Sequence, residues 1–501
     1  MLQMERTASR ILTRIFYAMF AAIFTVLVAA LILSNVFHQW GWSRIPLTAL
    51  FLGALAWVFY LCKRYEAVLE KHYGWILTVV LTVMLILQIV IGSALRFTPA
   101  WDLDAIYSGA IQWAETGSFS SYYEYYQYFP NNLGGMALLY LFLKPAQLVG
   151  ISDYFMVAVT ANSVLLVGTI LITSLSGKLL FGTRGGVFVL FLFVAALPFY
   201  FMGAVFYTDT LSMIFPVLFY YLYLRFTRAS GFRNKLLIAV GMGLTLGVGI
   251  SVKFTVAIIA IAVTVDALLF HRPWCKVALL LAGTVTIAAA VYFFFHAYIY
   301  AFHLDPVQAE QMNTPITHWI MMGLKGNGGY NGSDYQFTRS FADPAARNEA
   351  IWQEIQSRIA SLKLTGLLKL WIRKEVLCFG DGTFVLSSFL DDTPLNQTFL
   401  HQIVMEDGAL YPLYRQLCVS GFCAVLLLVL VSSYRDASSG GSVNWRVLTP
   451  RLAIFGLLLF FLLWETSGRL ILNFVPIIFL AALPGGELRS SFDRKNSREK
   501  R

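Results

Sequence analysis

The sequence predicts an all-α polytopic membrane protein: a bundle of about twelve transmembrane helices (about 11–13), with two large extracytoplasmic loops that carry juxtamembrane helices. Three observations lead there. The 501 residues are 58% hydrophobic and only 13% charged, with a mean hydropathy of +0.68. A soluble domain carries about 25% charged residues, so water is not the main solvent. Apolar stretches of near-spanning length recur along the whole chain, and the net charge of +10 is gathered between them. The same composition excludes a disordered chain. Five cysteines in 501 residues exclude a disulfide-built secreted module.

A span requires about 20 mostly apolar residues. Stretches that qualify lie at 15–36, 46–62, 75–95, 154–177, 186–204, 208–224, 236–252, 254–270, 277–298, 411–434, 452–466 and 469–484. The first follows Arg6, Arg10 and Arg14, is too long for a signal-peptide apolar core and lacks a small-residue cleavage site. It reads as a retained anchor. Residues 132–149 are ambiguous, since they follow Pro130-Asn131-Asn132 and contain Gly134-Gly135, Lys144 and Pro145.

Basic residues resolve the ambiguity. Clusters at 6–14, 63–71, 178–184, 225–235, 272–276, 435–451 and 489–501 hold 23 of the 37 Lys and Arg residues. All fall on one side if 132–149 does not cross, and the asymmetry collapses if it does. The positive-inside rule therefore gives twelve crossings, both termini cytoplasmic, and 132–149 as a re-entrant or juxtamembrane segment. Read this way, the positive charge is an orientation signal and calls for no nucleic acid.

The chain divides into a two-span N-terminal addition (1–72), a transmembrane core (73–298) with its first loop at 96–153, a second extracytoplasmic region (299–410), C-terminal helices (411–486) and a basic cytoplasmic tail (487–501). In the second loop, Asp343-Pro344 is an N-cap followed by Pro at the first helical position. Ile351, Ile355, Ile359 and Leu362 follow at helical spacing. From Leu364 to Val376, Leu and Trp371 mix with Lys369, Arg373 and Lys374, which suits a helix lying on the membrane surface.

Charged groups inside or beside spans are costly and point to function. The predicted topology places Asp102, Asp104, Asp209, Lys253, Glu465 and Arg469 on the outer face, with His318, Asp334 and Asp381 in the outer loop. Asp102 and Asp104, one residue apart in an extended segment, point the same way. They are placed to hold a divalent cation such as Mg or Mn, or to supply a general base; the bland alternative is a helix N-cap. The aromatic run from Tyr122 to Phe129, closing on Pro130-Asn131-Asn132, suits an interfacial belt or a platform for a sugar or lipid. Asp209 caps a helix or serves a site. Lys253, in Gly249-Ile-Ser-Val-Lys-Phe-Thr, snorkels or binds phosphate. Glu465 and Arg469, four apart, form an ion pair or hold an anionic headgroup. No P-loop, Gly-x-Gly-x-x-Gly, His-Glu-x-x-His or Cys-x-x-Cys pattern occurs.

Together these residues resemble the GT-C superfamily of polytopic glycosyltransferases, specifically family 39-like enzymes related to protein O-mannosyltransferases and the lipid A aminoarabinose transferase. The matching features, in order, are Asp102-Leu-Asp104 after an early span, Tyr128-Phe-Pro-Asn-Asn132, Tyr207-Thr-Asp209, Lys253-Phe-Thr, and Glu465-x-x-x-Arg469 before a span with Pro476. They extend over roughly residues 75–485. The resemblance implies transfer of one sugar from a polyprenyl-phosphate carrier to a glycan, lipid or protein acceptor, with the active site on the extracytoplasmic face of a bacterial plasma membrane. In that scheme Lys253 and Arg469 contact the donor phosphate, Asp102 is the base, and Asp104 and Asp209 orient substrates or help bind a metal. Tyr128, Asn131, Asn132, His318, Asp334 and Glu465 contact substrate. Metal dependence is left open. A glycan polymerase or ligase using a diphosphate-linked donor, and a flippase of lipid-linked sugars, are the competing expectations.

Overall fold

The computed structural model describes residues 2–34, 44–270, 274–390, 394–438 and 445–483. The basic tail expected at 487–501 lies outside them. Among the described residues there is no β-strand.

The helices are, in chain order, α1 (Leu2–Ser34), α2 (Arg44–Arg64), α3 (Glu66–Ala94), α4 (Trp101–Thr116), α5 (Tyr123–Tyr128), α6 (Leu133–Leu148), α7 (Tyr154–Phe181), α8 (Thr183–Ala195), α9 (Pro198–Phe201), α10 (Thr208–Leu211), α11 (Ile214–Arg228), α12 (Phe232–Val252), α13 (Ala257–Phe270) and α14 (Trp274–Phe302). After these come α15 (Pro306–Met312), α16 (Ile316–Gly323), α17 (Gly332–Arg339), α18 (Pro344–Gly380), α19 (Ser387–Leu390), α20 (His401–Val404), α21 (Tyr411–Ser438), α22 (Leu448–Leu463) and α23 (Val475–Ala481).

Among the described residues, eight helices are long and apolar enough to cross a membrane: Ser9–Ser34, Arg44–Arg64, Glu66–Ala94, Tyr154–Phe181, Thr208–Arg228, Phe232–Val252, Val277–Phe302 and Tyr411–Ser438. A ninth is formed if Thr183–Ala195 and Pro198–Ala204, bent by 71° at their junction, count as one broken span. Phe254–Leu269, Leu448–Leu463 and Gly468–Ala481 are apolar but shorter. The sequence reading treats 186–204 as one continuous span. The chain breaks there because Pro198 cannot donate a backbone hydrogen bond and favours a helix start. The carbonyl left without its backbone donor, Val194 O, accepts from Tyr200 OH at 2.7 Å, and at the other end of the short helix Gln88 Nε2 donates to Phe199 O at 2.8 Å and Asn162 Nδ2 to the carbonyls of Met202, Gly203 and Val205 at 2.9, 3.2 and 3.0 Å.

α1 packs along α21 and reaches α18, while α2 packs on α21 and α8, so the first two helices are part of the bundle. α3, α7 and α8 pack on one another, and Phe188 and Phe193 of α8 and Phe199 of α9 are fully buried. α12 pairs with α14 and α11. The lipid-facing character of this object shows in its large exposed apolar side chains, such as Trp57 and Trp75 on α2 and α3 and Phe293 and Phe294 on α14.

The ambiguous segment is the helix α6, sixteen residues long and packed against α4. Its first turn carries Gly134-Gly135, and the pair has a mechanical purpose. A Cβ on Gly134 would lie 1.9 Å from Ser251 O, and one on Gly135 would lie 2.8 Å from Thr208 Cγ2. Only glycine lets α6 seat directly on the ends of α12 and α10. The helix expected from Asp343 forms, with the Asp343 carboxylate accepting from Ala346 N at 2.7 Å. It breaks at Lys363, where φ is 54°. The following half does not simply lie on a surface. Leu370, Lys374, Glu375, Cys378 and Phe379 are buried against the bundle, and the Lys374 ammonium is satisfied by the carbonyls of Gly323 (3.0 Å) and Leu462 (3.2 Å).

Candidate functional site

Four chain breaks meet at one end of the bundle: the start of α4, the start of α10, the junction after α12, and the 3-10 segment Gly468–Phe474. The last two are tied together by Asn473 Nδ2, which donates to Thr255 Oγ1 at 3.0 Å. The start of α10 is set by Thr210 Oγ1, which donates to the carbonyls of Val205 and Tyr207.

Asp209, 1% exposed, pairs with two cations: Lys253 Nζ, and Arg469 Nη1 at 3.0 Å. The group therefore holds two positive charges against one negative. Glu465, half-buried just before the 3-10 segment, acts electrostatically on both cations. Glu465 and Arg469, four apart, are expected to pair with each other or to hold an anionic headgroup. The structure gives Arg469 to Asp209, 260 residues away.

Asp102 stands beside this group. Its Oδ1 accepts from Tyr125 OH at 2.6 Å and its Oδ2 from Tyr207 OH at 3.1 Å. Tyr125 in turn accepts from Asn132 Nδ2 at 2.6 Å, and Asn131 Nδ2 donates to Asn132 Oδ1 at 3.3 Å. The Arg469 guanidinium lies 5.0 Å from the Tyr207 ring centroid. Tyr207 thus joins the carboxylate to the cation: its hydroxyl holds Asp102 and its face carries Arg469. Asp102, Tyr207, Phe389, Arg469 and Trp101 line a common open cleft.

Asp104 departs from expectation. Residues 101–116 are helical, so side chains two apart diverge by about 200° and do not share a face. Asp104 turns away to Ser108 Oγ (2.6 Å) and Tyr122 OH (3.3 Å). The pair does not converge on a cation, and among the described residues no group of three His, Cys, Asp or Glu side chains is placed to hold one.

Three other expected substrate contacts are used elsewhere. Tyr128 is covered by Arg339, whose guanidinium lies 3.8 Å from its ring centroid, and its carbonyl accepts from Thr314 N at 3.1 Å. With Phe129 stacked on Tyr335 at 6.0 Å, the aromatic run forms the seam between the first loop and the α15–α18 unit. Asp334 is 2% exposed and is clamped by Arg358 through two bonds (2.7 and 2.8 Å) and by Lys325 (2.9 Å). Burial works against its charge, but these cations hold its carboxyl below the usual range. His318 is fully buried, with Nδ1 at 2.7 Å from Thr338 Oγ1, and burial lowers its pKa to about 4. These residues hold α16, α17 and α18 together rather than opening to a cleft.

A family of integral membrane proteins described as "conserved hypothetical integral membrane protein" matches residues 4–484. The chain belongs to this family. The match takes in α1 and α2 with the rest of the bundle, so the first two helices fall within the family's common extent. No functionally curated protein matches the chain. The missed participants are Tyr125, Tyr207, Trp101, Phe389 and Gly134. Tyr125 and Tyr207 were visible in quoted motifs, while Phe389 carried no signal that the charged residues did not outweigh.

Proposed function

We propose that this protein is a membrane glycosyltransferase of the GT-C type, similar to family 39-like enzymes. It moves one sugar from a polyprenyl-phosphate donor to a glycan, lipid or protein acceptor. In this reading about twelve segments cross a plasma membrane, the three shorter apolar helices and the broken pair among them, with both termini cytoplasmic and the Asp102 end extracytoplasmic. The observation that carries the reading is the Asp102–Tyr207–Arg469 arrangement on one cleft, a carboxylate and a cation joined by one tyrosine.

The chemistry follows from that placement. Arg469 and Lys253, in excess over Asp209, receive the donor phosphate as point and planar charges. Asp102 takes the proton of the acceptor hydroxyl as its oxygen bonds to the anomeric carbon. The bond from that carbon to the phosphate oxygen breaks, and polyprenyl phosphate leaves with the electron pair. A single displacement of this kind inverts the anomeric centre. Tyr125 and Tyr207 hold both oxygens of Asp102 so that its orientation is set before substrate arrives.

A second reading has one observation in its favour. A helix interrupted beside a charged residue, as at Lys253, also occurs where transporters bind their cargo. The deciding experiment incubates purified protein with a panel of polyprenyl-phosphate sugars and extracted acceptors, followed by mass spectrometry. Covalent transfer that is lost in Asp102→Asn supports the enzyme. Movement of intact donor across vesicles without transfer supports the transporter.

A further inference from the structure

Trp101 is unusual in two respects that reinforce each other. Its φ of 53° places a bulky aromatic residue in the left-handed region, where a side chain is strained. Its indole is nevertheless 85% exposed. A residue strained for the sake of packing would bury its ring and recover the cost; this one recovers nothing from the fold. The backbone around it is fixed. Asp104 N donates to Ala100 O at 3.2 Å, and the adjacent Asp102 is held by two tyrosines. The strain therefore presents the indole at the cleft that Asp102 and Arg469 also line.

A second aromatic surface borders the same cleft. Phe389 is half-buried, its ring 5.4 Å from that of Tyr207 and 5.9 Å from the Arg469 guanidinium. The exposed Ser388 adds a hydroxyl beside it. Two aromatic faces with a carboxylate, a guanidinium and a hydroxyl between them suit a ring that is apolar on its faces and polar at its edge.

We infer that Trp101 and Phe389 border a pyranose-binding subsite that holds the sugar being transferred, with Trp101 stacked on its apolar face. This rests on the sugar-transfer reading above. If Asp102 serves the acceptor hydroxyl and Arg469 the donor phosphate, the group lying between them is the sugar ring. Trp101 then sets sugar specificity and contributes little to holding the lipid phosphate.

The test compares two probes bound to the full-length protein in detergent: a short-chain polyprenyl phosphate, and the same lipid phosphate carrying one of a panel of hexoses and pentoses. Wild type is expected to bind one sugar-bearing probe more tightly than the bare lipid phosphate. Trp101→Ala is expected to weaken that probe about tenfold and leave the bare lipid phosphate within about twofold, with Trp101→Phe restoring most of the loss. Trp101→Gly, which relieves the backbone, is expected to keep or raise the melting temperature while losing the same preference. Equal weakening of both probes by Trp101→Ala would make the indole a membrane-interface anchor and overturn the subsite. A fall in melting temperature large enough to explain the lost binding would make it a structural residue and do the same. Wild type binding both probes equally removes the subsite but leaves the phosphate site standing. Wild type binding neither removes the donor reading itself, and the subsite with it.

Discussion

Two places in this molecule are built from the same parts. At each, one almost fully buried aspartate faces one lysine and one arginine: Asp334 with Lys325 and Arg358, and Asp209 with Lys253 and Arg469. What differs is where the rest of each arginine goes. Arg358 also binds Glu354 (2.7 Å) and the Met321 carbonyl (2.7 Å), so its donors are spent within the protein. Lys325 likewise reaches Ser333 at 2.6 Å. Arg469 gives one nitrogen to Asp209 and lies across Tyr207 and Phe389 at the cleft. With Glu354 and Glu465 counted, each group holds two cations and two carboxylates, but the first is closed within the protein and the second borders an open cleft. Burial and charge count do not separate structure from function here. The direction in which the remaining donors point does.

This contrast can be broken or sharpened by mutation, the largest effect coming first. Asp102→Asn is expected to lower transfer by about 10²–10⁴-fold with a much smaller effect on stability, because the amide oxygen still accepts from one tyrosine and its NH2 can donate to the other hydroxyl. Asp334→Asn is expected to do the reverse. It costs about 3 kcal/mol by leaving buried Arg358 short of its counter-charge, while activity per folded molecule persists. Initial rates normalised to the folded fraction, alongside thermal melts in detergent, read both. Gly134→Ala is expected to cost about 1–3 kcal/mol and to lower activity as well, since its methyl would collide with Ser251 O two residues before Lys253. Gly283→Ala, where the new methyl meets nothing within 4 Å, serves as the silent control.

Acidification should separate the two groups next. His318 has a folded pKa of about 4 against an ordinary 6.5, so between these values the unfolded chain binds a proton that the folded chain refuses. Its contribution is complete above pH 6.5 and falls as the pH drops towards 4. The Asp334 carboxyl is held below its usual 3.8, so its contribution is present above that value and lost as the pH falls further. Both act in one direction. The α15–α18 unit is expected to lose protection from proteolysis or hydrogen exchange on acidification before the helical bundle does. The smallest effect is expected from Tyr125→Phe, which removes one of two hydroxyls on Asp102 and should slow transfer about tenfold with little change in donor affinity.

How much of this was readable beforehand differs between the two regions. Asp102, Asp209, Lys253 and Arg469 stand out because each interrupts apolar sequence, and a charge there needs a reason whatever the fold. Their pairing was not readable, since Asp209 and Arg469 are 260 residues apart and Glu465 offered a nearer partner for Arg469. Asp102 and Asp104 were misread as converging because a spacing of two means one face in a strand and two directions in a helix. His318 and Asp334 looked like site residues because the long-range contacts that enclose them, above all Arg358, leave no periodic trace. Gly134-Gly135 blurred the reading of 132–149, and the reason is a close backbone approach that only the assembled helices reveal.

The central claim is that the Asp209 group, and not the Asp334 group, receives the phosphate of a lipid-linked substrate. The most direct measurement is the affinity of the full-length protein for polyprenyl phosphate, compared among wild type, Arg469→Ala and Arg358→Ala at matched folded fraction. Arg469→Ala is expected to lose at least about tenfold in affinity, and folded Arg358→Ala to keep wild-type affinity. Equal affinities for wild type and Arg469→Ala, or a loss confined to Arg358→Ala, would contradict it.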